Sequence, residues 1–477
     1  MRAVPSQNSI PTVELTAQQG QSSDNTTSVA RPSTSSNAIP AHGRWKPLAI
    51  VISSTVLVFT ACGLNFAYGI YQELYESMSH DPSSPFYRAT PAMIDLIGTL
   101  SVSLMTIGAP FASAWTKAFS PRSVTLVGGL LLGLSLILSS FGTRYWHFVV
   151  TQGLLLGVGT CLSYIPAVTA APGWYNEHRA LAMGVILSGT GVGGVFWAPV
   201  LRILNTSIGF RNTLRLSGAA SSFLMTVAAL FLSWDPVNAQ RWRVEYANVG
   251  RFKALYRIPL LNWQIARNRT FFAHALGGCI QSAAYYAPVY FFSAYGRTLG
   301  YSVAAGANFI AISNATNAIG KIIFGYLADR LGRINTLAVT TLLSSVTVLG
   351  LWLPSTLASS IDGKYDIRSK ALYVAFVICY STFASPYISL FPTSLVELFG
   401  AQNFSSVNGF FYMLRGIGTL VGTPIAGALI VRNVQSEVST PGSYTRCTAF
   451  LGTLLAGASL CVIWARLETS GVRQWKA

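Results

Sequence analysis

Charge is what this 477-residue chain has least of: 10% of its residues are Asp, Glu, Lys or Arg, against roughly 25% in an ordinary soluble domain. Acids are scarcest, 15 against 32 Lys and Arg, leaving a net charge of +17. So few charged residues cannot cover the two or three soluble domains that the length alone would allow. A compact basic domain is missing too. The cations fall in short segments between apolar runs, so the positive balance does not point to a nucleic-acid partner. The six cysteines, at 62, 161, 279, 379, 447 and 461, mostly lie inside apolar runs and form no C-x-x-C pair. They read as small packing residues, not as a disulfide framework or a zinc site. The five histidines, at 42, 80, 147, 178 and 274, are scattered and mostly at loops. Without a nucleophile–base pair or a His/Asp/Glu cluster, no catalytic site, metal site or cofactor is expected, and the chain does not read as an enzyme.

Apolar residues are abundant, at 51%, and they recur in runs of about 20, the length that crosses a bilayer as a helix. Residues 1–44 come first, with Ser, Thr, Asn, Gln and Pro at 24 of 44 positions. Such a segment buries too little to fold, so a disordered cytoplasmic tail is expected, without the apolar core of a signal peptide. Spans are expected near 48–72, 91–114, 123–142, 146–171, 179–201 and 213–234. A polar interval over 235–269 then carries seven cations: Arg241, Arg243, Arg251, Lys253, Arg257, Arg267 and Arg269. Six more spans follow near 270–295, 303–328, 335–353, 371–395, 407–431 and 446–465. The expected organisation is an N-terminal six-helix bundle (45–234), a basic cytoplasmic linker (235–269), a C-terminal six-helix bundle (270–466) and a cytoplasmic tail (467–477).

With the N-terminus inside, the cytoplasmic segments hold 19 of the Lys and Arg residues and the outer segments 10. This bias favours both termini in the cytoplasm. The glycines at 189, 191 and 194 spell G-x-G-x-x-G. A nucleotide fingerprint needs a strand before it, whereas this run lies inside an apolar helix, where glycines permit close helix packing.

One stretch organises the rest. Residues 314–333, NATNAIGKIIFGYLADRLGR, form an apolar run with one cation inside it, Lys321, and end in an acid–base turn. A lone lysine within a span is expensive unless it is used or paired. The turn 329–333 and the loop 115–122 hold the same place in each half, between spans two and three of six, as a two-half transporter would show.

The run GYLADRLGR at 325–333 resembles the G-x-x-x-D-R-x-G-R loop motif of the major facilitator superfamily. Within it the chain looks like a monocarboxylate porter of the fungal branch. The run WYNEHRALAMG at 174–184 resembles that family's aromatic-x-x-[KR]-R-x-L-A-x-G entry to span five. FSPRSV at 119–124 with Gly128 and Gly129 resembles F-G-x-R-x-V…G-G, and GTPIAG at 422–427 resembles G-x-P-I-A-G. Gly63, Phe66 to Gly69 and Gln72 are similar to the first-span pattern of the fungal members. The likeness covers about residues 45–466. It implies an all-α membrane protein of 12 transmembrane helices in two pseudo-symmetric six-helix bundles. Three departures stand out: Ile70 replaces the lysine of proton-coupled members, Asn317 replaces an aspartate, and the second span opens on Asp95-Leu-Ile-Gly98 instead of a Ser-Trp-Ile-Gly-like sequence. These tilt the expectation from proton-coupled uptake of a small acid towards a larger or less acidic metabolite.

The resemblance places Lys321 where relatives hold the arginine that meets a substrate carboxylate, and an ammonium in a low-dielectric cavity attracts an organic anion strongly. It lies eight residues before Asp329, about 12 Å along a helix. Snorkelling or pairing with an acid is the alternative. Arg415, eight residues into span eleven, should sit at a similar depth beside Tyr412, with Glu397 as a structural alternative. Asn317 and Asn314 share the Lys321 face and could orient a carboxylate or hydroxyl, or bond between helices. Tyr68, Tyr164, Tyr285, Tyr286 and Tyr380 fall in spans one, four, seven and ten, which line the central cavity in this superfamily. Asp95 is the first-half candidate for proton coupling, with an outer-surface cation as its alternative partner. Asp329, Arg330, Arg333 and Arg179 form the expected gating cluster, with Asp329 facing the N-terminal end of span five.

The expected activity is secondary transport of monocarboxylate-like or larger organic-anion metabolites by alternating access, including export of a secondary metabolite. The expected setting is the plasma membrane, as a monomer in the lipid bilayer, with a proton as the candidate coupling ion. Multidrug-type efflux of neutral aromatic compounds is the alternative, for which the tyrosine-rich spans would suffice. A membrane sensor would need a long foldable appendage, which the tails do not supply.

Overall fold

The computed structural model describes residues 45–175, 178–247, 263–358, 367–430 and 440–469, with the single positions 249, 253 and 256. The tail expected over 1–44, most of the interval 248–262 and residues 470–477 of the tail expected over 467–477 lie outside the described residues, while 467–469 continue the last helix.

Among the described residues, twelve long helical stretches flank the linker. Before the linker they are α1 (Trp45–Met78), α2 (Pro91–Ile107 continued by Ala109–Phe119), α3 (Pro121–Ser139), α4 (Tyr145–Trp174), α5 (Arg179–Ser207) and α6 (Phe210–Phe231). After it they are α7 (Arg269–Thr298), α8 (Val303–Leu331), α9 (Arg333–Leu357), α10 (Ile367–Phe399), α11 (Ala401–Ala428) and α12 (Thr445–Thr469). Among the described residues, eight are long and apolar enough alone to cross a membrane, nine with the bent α2 taken as one span. Helices α7, α8 and α11 fall short of that test. The reason lies in what they bury: Gln281 and Ser282 on α7, Asn314, Asn317 and Lys321 on α8, and Asn408, Arg415 and Thr419 on α11.

Three differences from the expected organisation stand out. Helix α1 continues past 72 to Met78, because Glu73 and Glu76 extend it as polar turns beyond a break at Ala67. Helix α2 bends by 49° at Gly108, where Pro110 cannot continue the hydrogen-bond ladder. The linker is not all loop: Pro236–Tyr246 is a helix whose N-cap, Asp235, accepts from the Asn238 N–H.

Helix α5 packs between α1 and α8, and its glycines divide the work. Gly189 and Gly193 meet the α1 backbone at Thr55 and Phe59, while Gly191 and Gly194 meet Asn314 of α8. A Cβ on Gly63 would lie 2.7 Å from the Gly193 Cα. The G-x-G-x-x-G run is therefore a two-sided helix seam.

The same seam joins helices from before and after the linker. Gly184 packs on the Lys321 carbonyl and Gly325 on the Ala180 carbonyl. A second seam joins α2 to α11, with Gly409 against Pro110 and Ser113, and Gly416 against Thr106 and Ile107. Both seams close the molecule on the side carrying the 329–333 turn and the linker, here called the linker side.

Candidate functional site

Helix α8 presents Asn314, Asn317 and Lys321 at spacings of three and four, so they share one stripe, and all three are buried. Lys321 is 0% exposed. Its ammonium donates to the Leu187 carbonyl at 3.0 Å and to the Thr190 hydroxyl, both on α5. It is neither snorkelled nor paired with an acid. The Asn317 amide donates to the Tyr285 hydroxyl at 3.0 Å, leaving its own oxygen unpartnered. The Asn314 amide packs against Gly194.

Arg415 comes from α11 and is 6% exposed. Its Nε donates to Ser282 Oγ of α7 at 2.9 Å, and its Nη1 has no acceptor. The guanidinium carbon lies 4.9 Å from the Phe391 ring centroid, 5.1 Å from that of Tyr412 and 5.5 Å from that of Tyr387. Glu397 is not its partner. Among the described residues the ion pairs are Arg269–Glu468 and Arg333–Asp329, so neither buried cation carries a counter-ion. Leaving a buried charge unpaired costs several kcal/mol, which makes Arg415 the polar group here with the most to gain from an incoming acceptor.

The tyrosines divide. Tyr164 of α4 and Tyr412 of α11 face each other hydroxyl to hydroxyl at 3.2 Å. Tyr285 and Tyr286 of α7 pack edge to face, and Tyr286 reaches Phe66 of α1. Arg415 links these rings, bonding Ser282 on the Tyr285 helix and lying over Tyr387 and Phe391 of α10 and Tyr412 of α11, while Asn317 of α8 bonds Tyr285. One cluster thus draws on α1, α4, α7, α8, α10 and α11. Tyr380 joins it from behind, donating to the Tyr285 carbonyl at 2.9 Å. Tyr68 does not join: it donates to the Ile94 carbonyl at 2.7 Å and packs on Gly98 of α2. Asp95 is half-buried and accepts from Thr99 at 3.4 Å, with Glu76 as a charged neighbour and, among the described residues, no cation paired to it.

At the linker-side end of α8, the Asp329 carboxylate accepts from the Ala180 N–H at 3.0 Å and from the Leu181 N–H at 2.8 Å. These are first-turn donors of α5, where the helix dipole favours an anion. Arg333 holds the same carboxylate at 3.2 Å. Arg330 lies over the Tyr326 ring at 4.6 Å. Arg179 donates to the carbonyls of Pro172 and Tyr175, with Asp329 and Arg333 as charged neighbours.

The profile described as Major Facilitator Superfamily matches residues 48–423. The chain belongs to the Major Facilitator Superfamily. It is therefore a multi-pass integral membrane transporter and not an enzyme. The superfamily's solved proton:xylose symporter XylE, bound to 6-bromo-6-deoxy-D-glucose, shares its all-helical fold, with a TM-score of 0.65 over 87% of this chain and 95% of that one. At 13% identity that likeness speaks for the fold alone. Fungal superfamily transporters are nearer in sequence. An MFS-type transporter of Gibberella moniliformis is 26% identical over 88% of this chain and 92% of its own length. The agnestins efflux protein AgnL12 of Paecilomyces divaricatus is 27% identical over 93% of both.

Some residues that complete the cluster escape sequence reasoning. Ser282, Tyr387, Phe391 and Thr190 are common residue types in apolar helices and carry no motif. A partial signal exists on α7, where His274, Gly278, Ser282 and Tyr285 recur at helical spacing.

Proposed function

We propose that this superfamily member is a secondary transporter of organic anions, monocarboxylate-like or larger, that belongs to the fungal branch of the monocarboxylate porters and exports an acidic secondary metabolite. It works by alternating access, with bundles 45–234 and 270–466 rocking about a central site and Asp329, Arg330, Arg333 and Arg179 acting at the linker-side gate. The site is drawn from Lys321, Arg415, Asn317, Asn314, Tyr164, Tyr285 and Tyr380, and Tyr68, which bonds to α2, is left out of it. Both termini and the linker lie in the cytoplasm, and the transporter acts as a monomer in the plasma membrane. The similarity to a fungal protein named for agnestin efflux supports the export reading. If a proton is coupled, Asp95 is the carboxylate in the first six helices placed to carry it.

One observation carries the anion reading. The Arg415 guanidinium is buried, keeps an unpartnered Nη1 and, among the described residues, pairs with no carboxylate. The test is transport in proteoliposomes across a panel of carboxylates and their neutral amides, with and without an imposed pH gradient. Wild-type protein should move acids in preference to amides, and Arg415→Gln should abolish that preference. Equal transport of acids and amides by both proteins would instead favour efflux of neutral aromatic compounds, the reading that the tyrosine cluster supports.

A further inference from the structure

Lys321 and Arg415 are both buried cations at the cluster, yet they stand in opposite conditions. Thr190 turns its hydroxyl proton back to the Leu187 carbonyl at 2.8 Å. Its oxygen is thereby left as an acceptor, and the Lys321 ammonium donates to it and to that same carbonyl. Gly184 and Gly191 bring the α8 backbone against α5 on either side of this triangle. The ammonium is thus engaged by groups that belong to the other set of six helices. Arg415, by contrast, makes its bond to Ser282 within the last six and keeps Nη1 without an acceptor.

The helix seam ties the Lys321 bonds to the conformational cycle. Lys321 sits between the Ala180–Gly325 contact and the Gly191–Asn314 contact, both of which hold α5 against α8. Opening the linker side separates these helices and removes both acceptors at once. An ammonium stripped of acceptors in a low-dielectric interior demands a replacement. Resting on the anion reading above, we propose that the two cations serve the substrate anion in alternation: Arg415 anchors it while the linker side is closed, and Lys321, a strut between the halves in that state, becomes an anion ligand only once its bonds to Leu187 and Thr190 are broken. Thr190 is the positioning residue of this device. The Arg415 subsite, edged by Phe391, Tyr387 and Tyr412, suits a carboxylate on a flat aromatic body.

The full chain in lipid nanodiscs tests this, with spin labels at Arg122→Cys and Leu331→Cys, both exposed near the linker side, and the native cysteines replaced. Without any substrate, Lys321→Met and Thr190→Val should each lengthen the label-to-label distance, and Arg415→Met should leave it unchanged. Labelled benzoate is the binding probe. Arg415→Met should lose at least about tenfold in affinity, whereas Thr190→Val, which opens the linker side but keeps both cations, should bind benzoate within about threefold of wild type, and Lys321→Met should transport it poorly. The methionine keeps the length of the lysine stem, and the valine is near-isosteric with threonine, so both should fold. Unchanged distances in both strut variants, loss of benzoate binding in Thr190→Val, or a wild type that binds no benzoate would each overturn the proposal. The distance measurement uses no substrate, so it separates failure of the strut from failure of the anion reading.

Discussion

The Asp329 carboxylate and the Leu181 N–H meet at 2.8 Å, joining the end of α8 to the start of α5 across 148 positions of chain. A carboxylate can accept there from Ala180, Leu181 and Arg333 together. An amide in its place keeps one acceptor oxygen, loses the charge and points an N–H₂ at donors. Charge-assisted bonds of this kind are worth about 1.5–3 kcal/mol. Asp329→Asn should therefore shift the linker side towards open and lower transport by roughly tenfold, with surface expression retained. Proteoliposome flux beside an immunoblot is the measurement; unchanged flux would remove Asp329 from the gate.

Two glycine seams should answer differently to the same added methyl group. The Gly63 seam with Gly193 lies among the first six helices, where a Cβ would meet backbone at 2.7 Å. Gly63→Ala should overpack it, costing about 1–3 kcal/mol and lowering the melting temperature. The Gly191 seam joins α5 to Asn314 of α8, across the interface that alternation must open. Gly191→Ala should be relieved by separation of the two helices, so the melting temperature should fall less while the linker side becomes more accessible to water-soluble thiol reagents. Equal thermal losses with no gain in accessibility would mean that the α5–α8 seam does not open.

The helices are legible because about twenty apolar residues in a row have few other uses, and the turn at 329–333 because an acid–base cluster ends one such run. The expectation of a similar depth for Lys321 and Arg415 follows from helical rise alone. What stays hidden depends on partners distant in sequence. Nothing near Lys321 says that its ammonium will be taken by Leu187 and Thr190, since backbone carbonyls and lone threonines leave no motif. Likewise the sequence offers Arg415 a charge on a neighbouring helix, Glu397, whereas the rings of Phe391, Tyr387 and Tyr412 surround it instead. The bend at Gly108 and the break at Ser385, which divides α10 into Ile367–Ala384 and Pro386–Phe399, are marked in the sequence by Pro110 and Pro386, but hydropathy averages over them. Tyr68 illustrates the converse: its span is legible, its direction around the helix is not.

Ser120 caps α3 at φ 120° and ψ 153°, while Gly332 holds the matching corner between α8 and α9 at φ 95°. Only glycine adopts that region freely, and a side chain there costs on the order of 1–3 kcal/mol. The serine recovers a little, since its hydroxyl accepts from the Ser123 N–H at 3.2 Å, but glycine at such a cap gives up only a few tenths of a kcal/mol. Ser120→Gly should therefore stabilise the protein by about 1 kcal/mol. Thermal unfolding in detergent reads this directly, and a lower melting temperature would show that the hydroxyl outweighs the strain.

The linker helix Pro236–Tyr246 does more than connect. Lys117 of α2 donates to Ser406 of α11 at 2.7 Å and lies 4.8 Å from the Trp242 ring centroid. Arg241 also lies 4.8 Å from that ring and reaches the Gln402 carbonyl at 3.1 Å. Trp242 is thus flanked by a cation from each of two elements, beside a hydrogen bond that joins helices from before and after the linker. Removing a buried tryptophan costs about 3–5 kcal/mol where the site cannot collapse, and here the loss should be confined to the docked helix. Trp242→Ala should leave the twelve-helix core folded, with trypsin cutting faster after Arg241 and Arg243. Trp242→Phe, which keeps a ring between the cations, should restore most of the protection. Identical cleavage of wild type and Trp242→Ala would mean that the linker helix is held by contacts other than the Lys117–Trp242–Arg241 stack.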